Sequence, residues 1–378
     1  MRIGISILVI MLPLLPLSGF SAVLNVPGSY ATISDAVLAA GQCDTILIDS
    51  GSYAGSGFNN ITLNEKCLSI ISAYGSEKTF IDVENEQFLF VSDSSGLGNG
   101  DVYLEGISFF GGDSTWYFQE IGIEYGMNGS ISMKKCSFAR FFYTIQDFSI
   151  GGTGSIDSCF FLSNSISVVV GGNNAGVWSL TNNLFNKATA DFEHLQSNAV
   201  ISGNIFAYNV PGIFLVGSNN FDVRNNLYYN NGVGIGDSWF TNGLIMYCQN
   251  FYGNDKNTDY FTPGDQIGTN GNISINPKFC DTMLSTTSVL STSPLLPENN
   301  ECGVNIGNVS MGCICADLDG SNEINIGDLT SFVNYLFKGG ADPTPLIAAD
   351  IDGTNEVNIA DLTAFVNYFF KGGPAPKC

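Results

Sequence analysis

Between residues 317 and 361 the chain twice sets oxygen-bearing side chains at the spacing a hard divalent cation needs. The first run is Asp317-Leu-Asp-Gly-Ser-Asn-Glu-Ile-Asn-Ile-Gly-Asp328. The second begins 33 residues later and is Asp350-Ile-Asp-Gly-Thr-Asn-Glu-Val-Asn-Ile-Ala-Asp361. Positions 1, 3, 5, 9 and 12 are Asp317, Asp319, Ser321, Asn325 and Asp328, then Asp350, Asp352, Thr354, Asn358 and Asp361. Glu323 and Glu356 hold position 7, where a backbone carbonyl would add a further donor. That many oxygens at short range suit calcium, which tolerates irregular geometry, so two ions are expected. Gly320 and Gly353 permit the tight turn. Asn322 and Asn355 fall where a left-handed residue is needed, and Asn is the next best choice after Gly.

A second constellation lies upstream. Asp191 and Glu193 are two residues apart, so on a strand they share a face about 6.6 Å apart. That is near the lower carboxylate separation of inverting glycosidases and makes the pair the candidate acid/base couple. Trp116, Tyr117 and Phe214 could offer aromatic faces to sugar rings. The chain has one His, His194, directly after the pair.

Two kinds of element must carry these groups. After each acidic run, apolar residues fall at i, i+3, i+4, i+7 and i+8: Leu329, Phe332, Val333, Leu336 and Phe337, then Leu362, Phe365, Val366, Phe369 and Phe370. These are single helical stripes that should pack on each other, ended by Gly339-Gly340 and Gly372-Gly373. Upstream, a motif of an apolar residue, two residues, Asn or Cys, one residue and an aromatic recurs. Its aromatic positions are Phe109, Phe138, Phe161, Phe185, Phe206, Tyr228 and Phe251. A period near 22 residues means that each unit stacks on the last. The expected structure is a parallel β-solenoid with inward aromatic rows and a side-chain ladder through Asn183, Asn204 and Asn226. Counting from each aromatic puts Glu124, Gln146, Val169, Glu193 and Phe214 in one outward row, with Asp147 about two coils from the acid pair.

The upstream part resembles right-handed parallel β-helix proteins of the pectate-lyase-like architecture. Leu24-Asn-Val-Pro-Gly-Ser-Tyr-Ala-Thr-Ile33 looks like an opening strand and Asp35-Ala-Val-Leu38 like a capping helix. Asn276-Pro-Lys-Phe-Cys280 looks like part of a closing segment. The resemblance implies polysaccharide chemistry, by a polysaccharide lyase or a glycoside hydrolase. The Gly-His-Gly of polygalacturonase-like hydrolases is missing, and no diagnostic motif surrounds Arg140, Lys187 or Arg224. The C-terminal tandem repeat resembles a type I dockerin, with two EF-hand-like calcium loops. That implies attachment to a cohesin-type module or a cell-surface scaffold. Loop positions 10 and 11, often Ser-Thr in dockerins, are Ile326-Gly327 and Ile359-Ala360 here, which points to a different partner specificity.

The fold class expected is therefore mainly β: a right-handed parallel β-helix over 23–313, then a small α-helical dockerin-like module over 314–378. Residues 1–22 read as a bacterial-type signal peptide, with Arg2 ahead of an apolar run too short and too Pro-broken to span a membrane. Export is expected, to the extracellular space or the cell surface. Ten Cys in an exported chain favour disulfides; Cys136 with Cys159 and Cys315 with Cys378 are attractive pairs. A net charge of −22 with 13 Lys and Arg argues against nucleic acid as partner. A secreted protein that binds or processes a polysaccharide fits best. A non-catalytic adhesion protein with a calcium-stabilised anchor is the alternative.

Overall fold

The computed structural model describes residues 21–378, apart from 64–65, 85, 92–99, 113–120, 127–128, 148–151, 175–176, 196–198, 216–220, 238–243, 260–265, 282–283 and 285–286. The expected signal segment thus lies almost wholly outside the described residues.

Short apolar strands separated by tight corners wind the chain into coils. Among the described residues they form three parallel sheets of 10, 9 and 9 strands, each sheet taking one strand per coil. The coil around the strongest repeat shows the plan. Thr153–Asp157 belongs to the first sheet, Phe160–Leu162 to the second and Ile166–Asn174 to the third. Each pairs in parallel with its counterparts one coil away. The chain is a mainly β parallel solenoid.

The corners explain the motif. The residue at the first corner adopts positive φ, as Lys135, Ser158, Asn182, Gly203 and Asn225 do. This turns the next residue inward, and that residue is the Cys or Asn of the repeat. Asn183, Asn204 and Asn226 are fully buried and form the expected ladder. Asn204 Oδ1 accepts from Asn183 N (2.9 Å) and Nδ2 (3.0 Å), and Asn226 Oδ1 does the same for Asn204. Gln249 and Asn272 continue the line. A second ladder, unforeseen in the sequence, runs along the next corner. There Asn209 N donates to Asn231 Oδ1 and Asn231 N to Asn254 Oδ1, both at 2.9 Å. Each amide satisfies backbone groups that a tight corner would otherwise leave buried and unpaired.

The repeat aromatics form one stack through the core. Phe138, Phe161, Phe185, Phe206, Tyr228 and Phe251 lie 4.6–5.4 Å apart, centroid to centroid, with planes within 13°. The N-terminal edge is covered by α1 (Ile33–Ala39), which buries Ile33, Ala36 and Val37. At the other end, the segment after the last coil turns back over the second sheet. Leu295, Ile306 and Val309 there share a core with Leu184, Ile205 and Leu227.

Disulfides join Cys43–Cys67, Cys248–Cys302, Cys280–Cys313 and Cys315–Cys378. The last is the clasp expected. The other expected pair is corrected: Cys136 and Cys159 are buried free thiols. They stand in the amide ladder, Cys136 N donating to Cys159 Sγ (3.4 Å) and Cys159 N to Asn183 Oδ1 (2.8 Å).

Helices α2 (Ile326–Lys338) and α3 (Ile359–Lys371) form the C-terminal module. Phe332 and Phe365 meet Ala348, Ala349, Ile351 and the Cys315–Cys378 bridge in its core, which also takes in Leu290 of the solenoid's closing segment. No helix among the described residues is long and apolar enough to cross a membrane.

Candidate metal centres and the solenoid face

Each acidic run folds as a loop closed by the helix that follows it. Asn325 is the N-cap of α2; its side chain accepts from Gly327 N, and Asp328 completes a capping box. Such a box satisfies donors that the first helical turn leaves free. Asp328 also binds the start of the loop. Its Oδ1 accepts from Leu318 N (2.7 Å) and Asp319 N (3.1 Å), and its Oδ2 from Asn325 N (2.7 Å). Asp317 accepts from Ser321 N and Asn322 N, which folds the loop over its own first residue. Asn322, at φ 63°, makes the left-handed turn expected of it. The second loop repeats the scheme with Asn358, Asp361, Asp350, Thr354 and Asn355, the last at φ 65°.

The outcome is two convergent carboxylate triads. Oxygens of Asp317, Asp319 and Asp328 all lie within 4.8 Å of one another, and so do those of Asp350, Asp352 and Asp361. Asp328 and Asp361 are fully buried. Ser321 Oγ donates to Glu323 O (3.1 Å), bringing positions 5 and 7 together, while the Glu323 and Glu356 side chains point to solvent. Asn325 and Asn358 are brought in as caps, each holding a helix N–H at 2.7 Å.

Hydrogen bonding from Ser321 holds the Asp319 carboxyl below its ordinary range. Burial, helped by the neighbouring Asp352 charge, pushes Asp361 up. Like charges this close repel unless a cation offsets them. The donors are all oxygen, the loops are turned by Asn and Gly, and the triads converge. The residues present therefore fit a calcium ion.

The candidate acid pair lies on the third sheet, in strand Thr189–Leu195. The expected outward row needs correction there. Val169 pairs with Asp191, and Asp191 with Phe214, while Glu193 pairs with Gly171. The row is therefore Glu124, Gln146, Val169, Asp191 and Phe214. Two local changes cause the shift. The corner before Thr189 has two residues, Lys187 and Ala188, where the preceding coil has three. In addition Ser167 bulges, since Ile166 and Val168 pair with the adjacent Thr189 and Ala190. Asp147 pairs with Val170, one position off this row. The Glu193 and His194 side chains, and Trp116 and Tyr117 altogether, lie outside the described residues.

Residues 315–370 match the family of the Dockerin type I domain. No curated protein matches the chain. Among solved structures, the A-module of a mannuronan C-5 epimerase from Azotobacter vinelandii is similar at 14% identity and TM-score 0.37. That match covers 63% of this chain and 70% of the other. A pectin methylesterase from Aspergillus niger is similar at 11% identity and TM-score 0.36, over 68% of this chain and 92% of that one. A PL6 family alginate lyase is similar at 11% identity and TM-score 0.23, over 68% and 54% respectively. With both acidic loops, all of α2 and all but the last residue of α3 inside the matched span, the C-terminal module is a type I dockerin domain that follows a parallel β-solenoid.

Proposed function

We propose that this is a secreted protein whose dockerin, loaded with two calcium ions, holds it to a cohesin-type module or a cell-surface scaffold, while its solenoid binds or processes a polysaccharide. The observation that carries the reading is the pair of converged carboxylate triads, each locked to its own helix N-terminus. Calcium, when bound, would offset most of the charge of each carboxylate triad. Asp317, Asp319 and Asp328 would hold one ion with Ser321, the Glu323 carbonyl and Asn325. Asp350, Asp352 and Asp361 would hold the other with Thr354, the Glu356 carbonyl and Asn358. The division assigned is 1–22 signal peptide, 23–313 solenoid and 314–378 dockerin.

On the solenoid, Asp191 and Glu193 are assigned the acid and base roles, beside the Phe214 ring. A screen of the full chain against plant, algal and bacterial polysaccharides, with and without calcium, tests this. Product release that is lost in Glu193→Ala supports catalysis, and unsaturated ends absorbing in the ultraviolet identify a lyase. No release in the wild-type chain removes the enzymatic half of the reading.

One observation favours the non-catalytic alternative, an adhesion protein with the dockerin as anchor. Along the Asp191 row, the nearest described acids are Glu124 on one side and Asp259 on the other, each three coils and roughly 14 Å away. Glycan retention without product release would support that alternative.

A further inference from the structure

The two acidic loops are near copies, but their surroundings differ. The solenoid's closing segment reaches the second loop, where Asn276 lines a groove together with Asp350, Asn355 and Val357. Two residues further on, Lys278 Nζ donates to Lys377 O (2.9 Å) and to Thr292 Oγ1 (3.3 Å). Lys377 N donates in turn to Ile351 O (3.0 Å). Ile351 stands between the loop acids Asp350 and Asp352. The Lys377 Cβ also packs against Gly353, 3.3 Å from where a side chain there would begin. Two lysines, one of them supplied by the solenoid, thus flank the second loop. In the sequence repeat the counterpart of Lys377 is Thr344, and that of Ala375 is Asp342, so this tail cation has no equivalent in the first copy.

Lys278 is half-buried. Burial draws its pKa down, and the Asp350 carboxylate draws it back up. A fixed ammonium beside a cation site opposes the ion's own charge.

We propose that Lys278 makes the two calcium loops unequal: anchored by the solenoid, its ammonium weakens calcium at Asp350–Asp361 relative to Asp317–Asp328, so that the second loop senses how the dockerin sits on the solenoid. The inference rests on the calcium reading above. It differs from that reading in giving a solenoid residue control over one of the two sites.

The test is a calorimetric calcium titration of the chelated full chain, as wild type, Lys278→Gln and Lys278→Arg. Gln keeps an N–H donor for Lys377 O but removes the charge; Arg keeps both. The wild type should bind in two resolved steps. Lys278→Gln should tighten the weaker step by roughly three- to tenfold and leave the tighter one in place. Lys278→Arg should preserve the wild-type separation. Added salt should narrow the gap in the wild type more than in Lys278→Gln, because screening weakens the same interaction. Two indistinguishable steps in the wild type, or a weaker step that Lys278→Gln does not move, would overturn the inference while leaving calcium binding intact. Absence of any calcium uptake would remove the calcium reading and this inference with it.

Discussion

A single amide shows how the solenoid meets its polar debts. Asn204 accepts from Asn183 N and Nδ2 and donates to Leu180 O, all within a corner closed to water. Asn204→Ala strands these groups and should cost roughly 2–5 kcal/mol in chemical denaturation. Tyr228 presents the opposite case. Its ring belongs to the aromatic stack, yet its hydroxyl is buried and, among the described residues, has no hydrogen-bond partner. Burial pushes that phenol far above its ordinary pKa. Tyr228→Phe should therefore leave stability unchanged or raise it by about 1 kcal/mol, and a loss would reveal a bonded hydroxyl. Two other phenols give a pH signature. Burial pushes Tyr103 up to about 12, with help from its hydrogen bond to Glu105, and burial followed by the Tyr208 charge takes Tyr229 to about 12. A folded value above the ordinary 10.0 means that the native state holds its protons longer. The contribution is complete below pH 10 and is lost as pH rises from 10 towards 12. Ultraviolet titration should show a late tyrosinate phase that shrinks in Tyr103→Phe and in Tyr229→Phe.

The coil is the element that the sequence displays best. Inward rows must repeat because each coil packs on its neighbour, so Ile156, Leu180, Ile201 and the aromatic line are readable from spacing. The first amide ladder is readable for the same reason. The second is hidden because Phe141 and Ala188 interrupt it with apolar residues. The outward row is harder still. The Ser167 bulge and the shortened corner at Lys187 leave the inward aromatic line in place, yet they bring Asp191 rather than Glu193 into the outward row. Asp191 and Glu193 share one strand, but which of them joins the outward row was not legible. The Cys136–Cys159 expectation failed for a related reason, since that corner can be filled by thiols acting as weak ladder members. Close packing also sets its own limits. A side chain on Gly154 would overlap the ring of Trp178 in the next coil. Gly154→Ala should therefore cost about 1–3 kcal/mol in thermal or chemical unfolding, with the loss confined to the solenoid transition.

Across the whole molecule, the dockerin has little freedom to wander. Cys280–Cys313 and Cys315–Cys378 are separated in sequence by Ile314 alone, and Leu290 sits in the module's core. Chelation should expose the α2 and α3 amides to hydrogen exchange while the amide ladders of the solenoid stay protected. The acidic loops and their helices were legible, because a loop of this kind fixes residue types at fixed positions within one short segment. The lysine that flanks the second loop was not, because Lys278 reaches it only through the packing of two modules. The most direct test of the account is native mass spectrometry of the full chain, first chelated and then resupplied with calcium. Two added calcium ions are predicted, with one lost in Asp328→Ala and one in Asp361→Ala. No added calcium, or two ions retained in both variants, would contradict it.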